Sequence, residues 1–174
     1  MEVMDAMKKF RAVRKYSSQK VSNEIIGNII DAGRHSQSSR NVQPWRFLVV
    51  HEKETLKELS QMGKFSSHLA EASFGLAILT PDPSGNVSIL FDAGQAAVYL
   101  QLAALEYGVG SCIVKMHHGY LAEKILKFPD DYKLNFMIAF GYSENNKDFE
   151  PKNKDRKSLS EISFIEIWGA PFQI

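Results

Sequence analysis

Residues 93–105 (AGQAAVYLQLAAL) carry no charged side chain, and Asp92 and Glu106 bracket the run. Ala, Leu and Gln dominate it, so helix is its favoured local state. A helix that is apolar nearly all round must be covered nearly all round. A chain containing such a segment therefore wraps a core about it or shares it with a second subunit. The helix is expected over 92–107. Gly108, first residue of the GVGSC turn at 108–112, supplies the natural stop because glycine accepts the left-handed backbone of a helix end.

The rest of the sequence supplies the cover. A chain of 174 residues can bury roughly 70% of its unfolded surface, enough for a core without disulfide staples. Residues 1–10 read as a short helix with Val3, Met4, Met7 and Phe10 at helical spacing. Ser22 or Asn23 can cap a helix reaching about His35, with Ile25, Ile26, Ile29 and Ile30 inward. Strands are expected at 45–51 (WRFLVVH), 74–80, 112–114 and 135–141, where β-branched and aromatic residues concentrate. A charged helix falls near 53–62 and another near 120–128. Pro81-Asp82-Pro83-Ser84-Gly85 marks a turn, and 144–157 is a polar exposed loop. There is no internal repeat. This pattern implies a single domain of class α+β or α/β, with helices covering a sheet of four or five strands.

The end of the chain does not fit a simple monomer. Phe164, Ile165, Ile167, Trp168 and Phe172 follow a solvated loop at a place where chains ordinarily fray. Two covers are open to them, the protein's own core or a partner subunit.

Charge and cysteine content narrow the function. The formal net charge is +1 and hydrophobic residues make up 44%, against a dedicated polyanion binder and against disorder. Cys112 is the sole cysteine, which leaves no disulfide framework and no multi-cysteine metal site. No apolar run approaches the roughly 20 residues of a bilayer span, and basic residues interrupt the N-terminus before a signal sequence could form. A soluble, cytoplasmic protein is expected, binding neither nucleic acid nor membrane. Residues 6–23 hold Lys8, Lys9, Arg11, Arg14, Lys15 and Lys20 without one acid. A second basic cluster, Lys152, Lys154, Arg156 and Lys157, lies late. The two clusters suit either solvated surface or a compact anion such as phosphate, for which the guanidinium fork is well shaped. Ser36-Gln37-Ser38-Ser39-Arg40-Asn41-Val42-Gln43-Pro44-Trp45 suits either an ordinary loop or the carbonyls and ring nitrogens of a planar heterocycle. Dinucleotide, nucleotide and serine-hydrolase motifs are missing: no GxGxxG follows a strand, and there is no GxxxxGK[ST] or GxSxG. His117-His118 has no third metal ligand nearby, and Cys112 on a buried strand reads as inert.

Several segments together resemble one family. Residues 10–16 (FRAVRKY) resemble the RRSxRxF/Y opening of FMN-dependent nitroreductases, and 38–45 (SSRNVQPW) is similar to their PSxxNxQPW segment. Residues 92–97 through 108–112 look like their long central helix ending in GLGS. Phe140-Gly141-Tyr142 matches their last-strand G[YH], and residues 154–159 resemble a KxR[KR]xL element. Trp168-Gly169 is similar to a common family ending. The resemblance covers nearly the whole chain in the right order.

The resemblance implies an α+β fold whose mostly antiparallel sheet is flanked by helices. It also implies an intertwined homodimer with FMN at the subunit interface and residues 158–174 packed on the partner. Arg11, Ala12 and Arg14 match the segment that holds the phosphate, ribityl chain and pyrimidine edge. Ser38, Ser39 and Asn41 match a loop that approaches the flavin from the other subunit. Val114, Lys115 and Met116 match a stretch over the ring near N5, and Lys154 and Arg156 match cations that return to the phosphate. Four departures matter. Phe10 replaces an Arg, Ala12 a Ser and Gln37 a Pro, while Lys115 stands where small members often have Gly, making any positive φ there costly. The implied activity is NAD(P)H oxidation, with NADH or NADPH as reductant. Electrons pass through flavin N5 to a nitroaromatic, quinone or other conjugated acceptor in a ping-pong cycle. No side-chain acid or base is required, and Arg14 acts as an electrostatic stabiliser. The same resemblance leaves open reductive dehalogenation, flavin fragmentation, dehydrogenation, or flavin binding without turnover.

Overall fold

In the computed structural model, residues 2–149 and 156–172 are described. Four strands form one sheet in the order β1-β2-β4-β3, every neighbour pair antiparallel. They are β1 (Arg46–Val50), β2 (Phe74–Pro81), β3 (Val109–Lys115) and β4 (Tyr132–Tyr142). β2 and β3 lie on either side of β4 and run the same way. The chain between them must therefore cross the sheet, and α4 (Ser88–Glu106) is that crossing. The remaining helices are α1 (Val3–Lys9), α2 (Asn23–Arg34), α3 (Lys53–Leu59), α5 (Gly119–Leu126) and the short α6 (Leu159–Ile162). These observations settle the fold class as α+β.

Strand alternation divides the core in two. Phe74, Leu76 and Ile78 of β2 and Ile138 and Phe140 of β4 face α2 and α4. There they pack with Ile26, Ile29, Ala96 and Leu100. Ala77 and Leu79, with Met137 and Ala139, face the opposite side and meet Leu56, Leu59 and Ala122 of α3 and α5. Phe74 and Phe140 sit in register and stack at 4.7 Å. Because β2 is covered on both faces, its run FGLAILT is apolar without alternation.

Element types agree with the expectations above, and the boundaries moved where ends are set by partners. The Ser22 hydroxyl accepts from Ile25 N and caps α2 as expected. β3 begins at Val109 rather than 112, because β4 pairs with it along its whole length. α4 begins four residues before Asp92, at Ser88, and Gly108 takes φ +67° just past its end. At 19 residues α4 is long and apolar enough, by length and composition, to cross a bilayer, which the shorter stretch read from the sequence was not. It is packed as a core helix nonetheless, with Ala93, Ala96, Ala97, Leu100 and Ala104 buried.

The tail does not enter either core cluster. It folds locally: Ser158 and Glu161 form a capping box on α6, Phe164 pairs with Pro171, and Phe164 meets Trp168 at 4.5 Å. Ile165, Ile167, Trp168 and Phe172 stay exposed, Trp168 by 88%. Phe91, Val98 and Tyr99 of α4 are likewise exposed, as are Val3, Met4 and Met7 of α1. Of the two covers left open for the tail, the protein's own core is excluded.

Candidate functional site

The segment around Arg14 is laid against the free edge of the sheet. Ala12 bridges Ser111 of the edge strand β3 in parallel, with Val13 N donating to Ser111 O at 2.9 Å. Tyr16 bridges Ser143, and Ser17 N donates to Tyr142 O at 2.8 Å. Val13 and Tyr16 turn inward while Ala12, Arg14 and Lys15 turn out, a three-residue spacing that breaks strict strand alternation, so the strip is not one regular strand.

Two glycines make the seat. A Cβ on Gly110 would lie 2.8 Å from Val13 Cβ, and one on Gly141 would lie 2.9 Å from Tyr16 Cδ1. The glycines of the GVGS and FGY segments thus leave room for the two anchors of the Arg-bearing strip. Tyr16 Oη donates to Val13 O at 2.6 Å, with Ala139 O at 3.2 Å. Burial pushes the Tyr16 phenol above its ordinary value, so it remains a donor.

Arg14 reaches two buried groups. Burial raises the Cys112 thiol, and the Arg14 guanidinium beside it opposes that only in part. Cys112 is therefore a protonated packing residue, as its strand position implied. His68 lies buried in the turn of residues 67–71, and its Nε2 has no hydrogen-bond partner. Burial, then the Arg14 charge, holds its imidazole below the ordinary 6.5. A histidine kept neutral by the fold is protonated more readily in the unfolded chain. Stability is thus lost as pH falls below about 6.5, levelling off once the folded state also takes the proton. Urea midpoints should drop between about pH 7 and 5, and His68→Leu should flatten that drop. An unchanged slope in the variant would assign it to other groups.

β3 continues the site. Val114 is buried and Lys115 exposed, and Met116 is buried with its N donating to Asn135 O at 2.9 Å. Lys115 is extended strand backbone, and the non-glycine residues with positive φ do not include it. The cost anticipated from its side chain does not arise.

The loop between α2 and β1 is held elsewhere. Arg40, Asn41 and Gln43 take φ of 52°, 56° and 50°, a left-handed backbone that costs roughly 1 kcal/mol or more per non-glycine residue. Ser38 Oγ accepts from Gln43 N at 3.0 Å, while Asn41 N donates to Ser38 O at 3.0 Å. Ser39 N donates to the buried Asp92 carboxylate of α4 at 3.0 Å. Ser39 and Asn41 are exposed. An open cavity of about 490 Å³ lies between the loop and α4, lined by Gln37, Ser38, Ser39, Phe91, Asp92 and Gln95.

Within one chain, then, Arg11, Ala12, Arg14 and Val114–Lys115–Met116 gather on one sheet edge. The loop of Ser38, Ser39 and Asn41 is fastened through Ser39 to Asp92 of α4 instead. Arg156 is exposed, and Lys154 lies outside the described residues. Sequence reasoning missed Asp92 and His68 as parts of this arrangement. For Asp92 a signal existed, an acid beginning an otherwise uncharged helical run. His68 carried none. His117 accepts from Lys64 N through Nδ1, and the described residues hold no cluster fit for a metal ion.

Comparison with known proteins identifies the family and the fold. A model of the nitroreductase family matches residues 7–65 and 61–142. An FMN-dependent nitroreductase from Clostridium difficile R20291 superposes with a TM-score of 0.84 over 95% of this chain and 100% of its own, at 29% identity. A protein of Archaeoglobus fulgidus, provisionally named NADH dehydrogenase/NAD(P)H nitroreductase, is 28% identical across 80% of this chain and 84% of its own length. An iodotyrosine deiodinase of Nematostella vectensis is 27% identical, covering 95% of this chain and 75% of its own.

Proposed function

The chain belongs to the nitroreductase family, and from that premise we propose that it is an FMN-dependent NAD(P)H oxidoreductase acting on nitroaromatics, quinones or similar conjugated acceptors. The observation that carries the reading is the Arg11–Arg14 strip, anchored by Val13 and Tyr16 over Gly110 and Gly141 and set beside β3. Bound FMN supplies hydride transfer at N5, taking electrons from NADH or NADPH and passing them to the acceptor in a ping-pong cycle.

This chain's residues fit that group. Arg11 and Arg14 offer fixed cations for a phosphate and for negative charge at the pyrimidine edge. A guanidinium already held in place stabilises such charge without reorganising. Ala12 contributes backbone only. Arg156, together with Lys154 outside the described residues, would add cations for the phosphate, standing in for the guanidinium that the Phe10 side chain does not supply. The extended backbone of Val114 and Lys115, with Met116 beyond it, would hold the flavin ring.

Ser39 is tied to Asp92 of α4 rather than to that strip, so the loop of Ser38, Ser39 and Asn41 is assigned to the site of a second copy. The working unit is therefore a homodimer, in which residues 158–174 of one chain cover the partner. The exposed apolar residues of the tail, α1 and α4 support this, since monomers rarely leave such surfaces bare. A soluble, cytoplasmic setting agrees with one unpaired thiol and a nicotinamide reductant.

Purified protein should be yellow, with flavin absorbance that bleaches under argon on adding NADH or NADPH and returns on adding menadione. Colourless protein that gains no absorbance with added FMN overturns the proposal. The deiodinase likeness favours one second reading, reductive dehalogenation on the same fold. Iodide released from 3-iodotyrosine by the reduced protein, without quinone turnover, would select it.

A further inference from the structure

A second cavity, of about 310 Å³, opens between α4 and the sheet. Its walls are apolar and uncharged, with Ile78, Leu90, Ala93, Ile113, Phe136 and Ile138 prominent among them. Two polar side chains also line it, Thr80 and Asn135. Thr80 is 2% exposed. Its Oγ1 and the Nδ2 of Asn135 are both buried without a hydrogen-bond partner. Orphaned polar atoms in an apolar cavity are unusual, because each has given up its hydrogen bonds to water and gained none in return.

The strand register explains how Asn135 comes to be there. Ile78 pairs with Phe136 and Leu79 with Leu134, so Asn135 is the extra residue of a β-bulge. Bulges turn a side chain out of the alternation and recur beside active sites. Thr80 follows on the adjoining strand, paired with Lys133. On its other side Asn135 O receives Met116 N, and Ile113 of β3 forms part of the cavity wall. The cavity thus borders the end of β3 that holds Val114, Lys115 and Met116.

We propose that this cavity is a subsite for an uncharged aromatic acceptor, whose carbonyl or nitro oxygen takes hydrogen bonds from the Asn135 amide and the Thr80 hydroxyl. The assignment as an acceptor subsite rests on the flavin reading above. The chemistry of the lining carries the ligand class. There is no charged side chain for an anion or an ammonium group, the volume matches a one- or two-ring molecule, and the unmet groups call for an oxygen acceptor.

The test separates binding from turnover. Acetophenone and ethylbenzene differ little in shape, and neither serves here as electron acceptor. Their affinities are measured by calorimetry on the flavin-loaded protein, and the ratio between them is the readout. Thr80→Val and Asn135→Leu should each shift that ratio about tenfold against acetophenone. FMN absorbance should remain unchanged. Thr80→Val should also raise the melting temperature, because it removes an unmet hydroxyl and keeps the volume. With 4-nitroacetophenone as acceptor, both variants should raise KM at similar kcat. An unchanged ratio, with water satisfying the two groups, overturns the subsite. So does failure of both probes to bind, with a second copy or the flavin closing the cavity. Failure of the unsubstituted protein to bind FMN would instead defeat the flavin reading, and the ratio would then be read on the flavin-free protein.

Discussion

Gly110→Ala is expected to yield protein that emerges from desalting without FMN and unfolds several degrees early. The added methyl group would lie 2.8 Å from Val13 Cβ and 2.9 Å from both of its Cγ atoms. That is overpacking of a buried contact, worth typically 1–3 kcal/mol. β3 cannot withdraw, since it pairs with β4 along Val109–Lys115. Val13 must therefore lift, and the bridge from Ala12 to Ser111 goes with it, displacing Arg11 and Arg14. Adding Val13→Ala should recover part of both losses by returning the space. Full FMN content in Gly110→Ala alone would show that this strip does not hold the cofactor.

Removing residues 159–174 should turn a flavin-bearing dimer into a monomer whose FMN affinity has fallen at least about 100-fold, near 2.7 kcal/mol. The reasoning is geometric. Ile165, Ile167, Trp168 and Phe172 contribute nothing to either core cluster, so their loss leaves the fold of one chain standing. Circular dichroism should accordingly be little changed, apart from the lost segment. The exposed residues of α1 and α4 then stay uncovered, and the loop of Ser38, Ser39 and Asn41 no longer meets a neighbour's Arg14. Sedimentation and absorbance at the flavin band check the two halves together. A truncated chain that still sediments as a dimer would move the interface off the tail.

Much of this molecule was legible before any coordinate. The uncharged run at 93–105 located its central helix, and Ser22 and Gly108 marked real helix boundaries, because capping and left-handed backbone are local properties. The buried anchors Val13 and Tyr16 were not read as such, although Arg11, Ala12 and Arg14 beside them were singled out. The early start of β3 escaped because its partner β4, beyond α5, sets that end, whereas α4 starts at Ser88 just after Asn86, whose side chain accepts from Ser88 N at 3.1 Å.

Local chemistry, then, determined which stretches are helix or strand, their order, and the family likeness carried by 10–16 and 38–45. Tertiary structure alone decided that Gly110 and Gly141 are seats for Val13 and Tyr16, that Asp92 ties down Ser39, and that a bulged Asn135 shares a cavity wall with Thr80. The reason is range. Capping, periodicity and backbone preference act over a few residues and are written in neighbouring letters. Steric room, a hydrogen bond between a loop and a distant helix, and strand register depend on residues dozens of positions apart, and exist only once the chain has closed on itself.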